Sequence, residues 1–160
     1  MNKLLTVLLV LMTVPIQAQG QSKDEATLKA DVIKFWDDAA QRKLDRNKLD
    51  PEHNMIAYST GGLWEDLTAE EMAKSIVGGP NTMALRPHHI NVMFLGSKKD
   101  VAYVSYYLVG NIMKDDKVVV ANYRTRISQV SEKRGGKWIG VGNHASPLFG
   151  GSGIVFEQFH

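Results

Sequence analysis

Tyr58, Trp64, Tyr106, Gln129 and Asn143 are the residues of this chain best suited to hold a small molecule. Each supplies either a flat apolar body with one polar atom or a neutral amide, which is recognition chemistry by stacking and hydrogen bonding. Proton chemistry needs a carboxylate or imidazole that is buried enough to be tuned and lies within hydrogen-bond reach of the substrate. The candidates for that work are Glu65 and Asp66, just after the Gly61-Gly62 break, and His144. Asp66 has a competing place at the start of the next helix, and His144 has no visible acid partner, which favours a bond to backbone or to Ser146 over acid-base work. Asp37 and Asp38 are adjacent on a helix, where neighbouring side chains diverge, so they read as a solvated face. His88 and His89 are adjacent on a strand and are expected to point to opposite faces, so no metal site is expected there. His53 falls in a turn. Neither a metal nor another cofactor is implied, and the absence of cysteine excludes disulfides and thiol catalysis.

The elements that must position these groups can be read from periodicity. Ser22 suits a helix start, Asp24 and Glu25 suit its first turn, and Leu28, Val32, Phe35, Trp36 and Ala39 recur at helical spacing to give one apolar face. A short second helix is expected over 45–52, then a strand over 54–59 broken by Thr60-Gly61-Gly62. Thr68-x-x-Glu71 is a capping-box pattern that starts a helix running to Val77, and Gly78-Gly79-Pro80 stops it. Three long strands follow over 87–96, 101–113 and 118–130, joined by short charged turns, and a Gly135-Gly136 hairpin adds a fourth over 137–146. Alternation puts Ala102, Val104, Tyr106 and Leu108 inward, with Tyr123, Thr125, Ile127 and Gln129 and then Ile139, Val141, Asn143 and Ala145. None of these inward positions is an acid. The outward face carries Tyr103, Tyr107, Val109 and Trp138 beside Arg124 and Arg126, a mixture of aromatics and arginine that resembles an interface. Helices first and a meander of long strands after is an α+β layout: a cone-like curved antiparallel sheet packed on N-terminal helices and enclosing a cavity.

Residues 1–18 combine Lys3, the apolar run Leu4 to Met12, Pro15 and Ala18, the pattern of a secretory signal peptide cut after Ala18. The run is shorter than the ~20 apolar residues that span a bilayer. The expectation is therefore a secreted or periplasmic protein that is not membrane-bound after cleavage. Of the 19 basic residues one, Lys3, lies in the signal, so 18 face 17 acidic residues and the net charge is +1. That balance argues against a nucleic-acid partner. Residues 22–148 make one domain, and 149–160 form a glycine-rich tail that turns apolar at Ile154, Val155, Phe156 and Phe159.

The segment from Tyr123 to Ser146, with its Gly136-Lys137-Trp138 hairpin and His144-x-Ser146 ending, resembles the C-terminal half of the nuclear transport factor 2-like superfamily. It is most similar to the SnoaL-like branch and to the association domain of calcium/calmodulin-dependent kinase two. The likeness extends upstream through Arg86-Pro87-His88-His89-Ile90-Asn91-Val92 and Asp100 to Tyr107. The resemblance implies a homo-oligomer, a dimer first of all, paired through the outer sheet face. It also implies either a ligand-binding or assembly module, or an isomerase, cyclase or dehydratase acting on a small apolar carbonyl compound. The arginines inside the kinase association domain's cavity fall by this resemblance at Leu108, Gln129 and Ala145, all neutral here, so the expected ligand is apolar or uncharged. The missing base favours the non-catalytic module.

Overall fold

The computed structural model describes residues 16–49, 55–58 and 64–148, with the backbone alone for 16–22, 55–58, 64 and 65. The expected signal segment up to residue 15, His53 and the 149–160 tail lie outside the described residues. Helix α1 runs Ile16–Ala40, starting before Ser22 and passing through the expected cut site. Its stripe Leu28, Val32, Trp36 and Ala39 is buried, as helical spacing predicts. Large aliphatic side chains such as Leu28 and Val32 each contribute roughly 1.5–3 kcal/mol by leaving water. The expected second helix is, within the described residues, a single 3-10 turn, Arg46–Lys48. Its cap Asp45 accepts a hydrogen bond from the Asn47 backbone N–H. Asn47 also donates its side-chain amide to that carboxylate, a local bond that competes with a longer helix.

Strand β1 is Met55–Tyr58, followed by β2, Trp64–Leu67, which the sequence reading does not anticipate. Helix α2, Ala69–Gly78, has the capping box in full: Thr68 Oγ1 accepts from the Glu71 N–H at 3.1 Å, and Glu71 accepts from the Thr68 N–H at 2.9 Å. The Thr68 N–H, together with the Thr68 hydroxyl, which also donates to the Glu71 carboxylate at 2.9 Å, holds that carboxyl below its ordinary pKa. The long strands are β3 (Thr82–Leu95), β4 (Val101–Lys114), β5 (Lys117–Arg134) and β6 (Lys137–Pro147). They form one six-stranded sheet of order β2-β1-β6-β5-β4-β3, in which β1 pairs parallel to β6 and the other pairs are antiparallel. Strand β3 continues through Pro87, which the sequence reading took as its first residue. A proline is tolerated there because β3 is an edge strand with a partner on one side only.

Along β4 the alternation holds residue by residue: Ala102, Val104, Tyr106 and Leu108 are all buried, and Thr125 and Ile127 face them from β5. Register shifts between His88 and Asn91, between Gly110 and Met113, and between Val130 and Ser131 insert bulges that bend the sheet. The bulges overturn two expectations. Val130 pairs with Gly142 but Ser131 with Gly140, so the face of β6 switches at Val141. Trp138, expected on the outer face, is therefore turned inward and only 3% exposed. At the β3 bulge His89 takes a left-handed backbone, φ 51°, and both His88 and His89 are exposed. His89 sits edge-on to Tyr107, an outward residue of β4, with ring centroids 6.0 Å apart. Strict alternation would have turned it to the opposite face. No helix among the described residues is long and apolar enough to cross a membrane.

Candidate ligand-binding cavity

Three residues expected on the cavity wall, Tyr106, Gln129 and Asn143, do line one interior cavity. Gln129 and Asn143 are directly opposite each other on β5 and β6, which sets the two amides side by side. The cavity, about 90 Å³, lies between α1 and the sheet. That is well below the ~300 Å³ at which sites for drug-sized ligands begin. It suits a molecule of a few heavy atoms. For Tyr58 and Trp64 the structure gives only the backbone: Tyr58 pairs with His144 and Trp64 opens β2.

The polar groups differ in how far they are satisfied. Tyr106 is 4% exposed, and its hydroxyl oxygen accepts the Trp36 indole N–H at 3.1 Å. Its own proton remains to be donated. Burial pushes the Tyr106 phenol up to about 12, with the Trp36 bond pulling weakly the other way. The Gln129 amide donates to Ser131 Oγ at 3.0 Å. Asn143 Oδ1 is enclosed and has no hydrogen-bond partner among the described residues. An enclosed acceptor left unpaired costs about 1–3 kcal/mol.

The raised Tyr106 value predicts a pH dependence. The folded chain keeps the phenol proton beyond pH ~10, where the unfolded chain releases it. This contribution to stability is therefore complete below about pH 10 and is lost as pH climbs towards 12, by roughly 2–3 kcal/mol. Urea midpoints should fall steeply across that interval in the native chain. In Tyr106→Phe that part of the fall should be missing, and equal slopes would contradict the burial argument.

Sequence reasoning missed two acids on this cavity, Asp31 and Asp45. Asp45 is committed to its cap, and Asp31 is ion-paired with Lys48 at 2.8 Å. A signal for Asp31 was present, since it interrupts the apolar stripe between Leu28 and Phe35 at i+3 and i+7. Of the acid-base candidates, Asp66 is exposed on edge strand β2 and does not line the cavity. The Glu65 side chain lies outside the described residues. His144 alternates with the inward Asn143 and Ala145 and so faces away from the interior. It lines a second depression, on the outer face of the sheet.

Solved structures of low sequence identity share this architecture. A nuclear transport factor 2-like superfamily protein from Salmonella enterica aligns at TM-score 0.64 and 18% identity, over 84% of this chain and 98% of its own. The fold is that of nuclear transport factor 2-like proteins. A candidate dehydratase of this family from Streptomyces avermitilis aligns at 0.60 and 16% identity, over 82% of this chain and 99% of its own. The association domain of calcium/calmodulin-dependent kinase II from C. elegans aligns at 0.57 and 17% identity, over 80% and 96%. No family model and no curated protein matches the chain. The nuclear transport factor 2-like fold thus accounts for the helix layer and the bent sheet.

Proposed function

We propose that this chain is an exported, non-catalytic module that holds a small uncharged molecule in the interior cavity and pairs with a second copy. The observation that carries the binding half is the unpaired Asn143 Oδ1, enclosed beside Gln129 in a cavity that is also lined by a tyrosine with a proton to give. A small molecule with one donor and one acceptor would satisfy both groups. Catalysis is disfavoured because the acids lining the cavity are engaged, Asp31 by Lys48 and Asp45 by its cap. The pairing half rests on the outer strip Met93, Leu95 and Tyr103, respectively 61%, 39% and 38% exposed, and on the similarity to an association domain.

Asn143→Leu tests the binding half with acetamide as the probe. Removing an unsatisfied buried acceptor should leave the chain at least as stable as before, by up to about 1–2 kcal/mol in its urea midpoint. The same change should abolish the acetamide-induced shifts of the Gln129 and Asn143 backbone amides seen by NMR in the native chain. A variant that is destabilised while the native chain shows no acetamide response would make Asn143 structural. Sedimentation giving only monomer at micromolar concentration would remove the pairing half, and an intact mass that retains residues 1–18 would remove export.

A second reading, an enzyme acting on a small carbonyl compound, draws on Asp31, a carboxylate that reaches the cavity. It requires turnover that disappears in Asp31→Asn while the fold persists.

A further inference from the structure

The hydrogen-bonding groups of the interior cavity have a fixed polarity, and that polarity selects a class of molecule. Gln129 is paired with Asn143 on β6 and with Val104 on β4. Tyr106 stands two residues farther along the same face of β4, a diagonal neighbour of the amide pair. Trp36 lies behind Tyr106 rather than on the cavity wall, and its indole N–H donates to the phenol oxygen at 3.1 Å. An indole N–H can only donate, so this bond has one direction and the phenol meets the cavity as a donor. The two amides carry the opposite sense. Asn143 Oδ1 is enclosed and unpaired. Gln129 spends an N–H on Ser131 Oγ, and no hydrogen bond reaches its Oε1 among the described residues. The wall therefore offers one donor and, on neighbouring strands, two acceptors.

Shape narrows the choice further, since a cavity of about 90 Å³ bounded by the flat rings of Phe35 and Trp138 suits a small planar group. An NH2 group brings two donors to the two acceptors, while a carbonyl oxygen takes the phenol proton. A primary carboxamide carries both on one planar carbon. A ketone has no donor for the amide oxygens, and an alcohol has one donor for two acceptors. A carboxylate sets a negative oxygen against them, and an amidinium has nothing to take the Tyr106 proton. Each mismatch leaves a buried polar group unpaired, which is how such a site rejects an analogue of equal size.

We infer that the cavity selects a small primary carboxamide, with Trp36 as a positioning residue that sets this selectivity by holding Tyr106 as a donor; this rests on the reading of the cavity as a binding site.

Acetamide, acetone, 2-propanol, acetate and acetamidinium have equal numbers of heavy atoms and differ in hydrogen-bonding pattern and charge. Each is titrated into the full chain and followed by the Gln129 and Asn143 backbone amide shifts. Acetamide should saturate in the millimolar range, and each of the others should bind about tenfold more weakly or worse. Gly140→Ala locates the site: its Cβ would meet only Gln129 Nε2 within 4 Å, at an ordinary contact distance of 3.6 Å. Because Gly140 lines the cavity, that variant should keep the native circular dichroism and bind acetamide about tenfold more weakly for want of room. Trp36→Phe leaves the phenol oxygen free to accept, so the preference for acetamide over acetamidinium should shrink about fivefold. A role confined to packing would weaken both probes alike. If that variant does not fold, Tyr106→Phe removes the donor itself and should abolish the same preference.

Acetone or 2-propanol binding as tightly as acetamide would leave an uncharged ligand in the cavity and overturn its assignment to carboxamides. Equal binding of acetate or acetamidinium would overturn the uncharged reading as well. An unchanged preference in the Trp36 and Tyr106 variants would remove the part given to Trp36, and undiminished binding in Gly140→Ala would take the site out of the cavity. No saturation by any of the probes at about 100 mM would overturn this selectivity together with the binding half of the proposed function.

Discussion

Gly110→Ala is expected to leave a chain that cannot keep β3 against β4. Gly110 pairs with Leu85 on one side and Tyr123 on the other. A Cβ there would lie 2.1 Å from the Ala84 carbonyl oxygen and 2.9 Å from Leu85 Cα. Both are backbone atoms, so no side-chain rotation relieves the overlap and the edge strand itself must move. Leu85 is buried in the core, and moving it opens the layer under α1. A loss above about 4 kcal/mol is expected, among the largest that one substitution causes. Against a total stability of order 5–15 kcal/mol, that leaves a substantial unfolded fraction. Urea titration followed by circular dichroism measures it. Gly135→Ala serves as the comparison, because there the added Cβ meets nothing within 4 Å and only the left-handed backbone, φ 56°, resists it. That variant should lose about 1 kcal/mol. Equal losses at the two positions would mean that β3 and β4 do not approach so closely at Gly110.

Trp138→Ala should cost about 3–5 kcal/mol, the range for emptying a large aromatic site in a core. The indole packs on Phe94 with centroids 5.8 Å apart, and its N–H points at Asp24 Oδ1, 3.4 Å away on α1. Lys133 lies 5.7 Å from the ring centroid and pairs with the same Asp24 at 2.8 Å. Trp138 thereby fastens the β5–β6 hairpin to the start of the helix layer. Trp138→Phe keeps a ring in place and gives up only a long hydrogen bond, so it should recover most of the loss. The alternation read from sequence would have put Trp138 on the outer face, where truncation costs within about 0.5 kcal/mol. Urea midpoints of the two variants decide between these placements.

The contrast at Trp138 shows what was legible and what was not. The inward set of β4, the capping box of Thr68 and Glu71 and the apolar stripe of α1 depend on local spacing, and spacing is written in the chain. Bulges are not. Whether β6 inserts an extra residue at Val141 depends on the partner strand and on the helix it must wrap, so the inward turn of Trp138 had no local signature. The same holds for His89, whose left-handed backbone swings its ring towards Tyr107. Strand β2 was missed because a four-residue strand has too short a period to stand out.

By itself the sequence determined the order of the two α-helices and the four long strands, the α+β class and the inward placing of the neutral amides Gln129 and Asn143, because each follows from side-chain periodicity along one strand or helix. Only the tertiary structure decided that Asp31 and Lys48 meet at the cavity and that Asn143 Oδ1 stays unpaired. Those are distances between residues remote in sequence, fixed by sheet register, bulges and the seating of α1, and no local pattern encodes them.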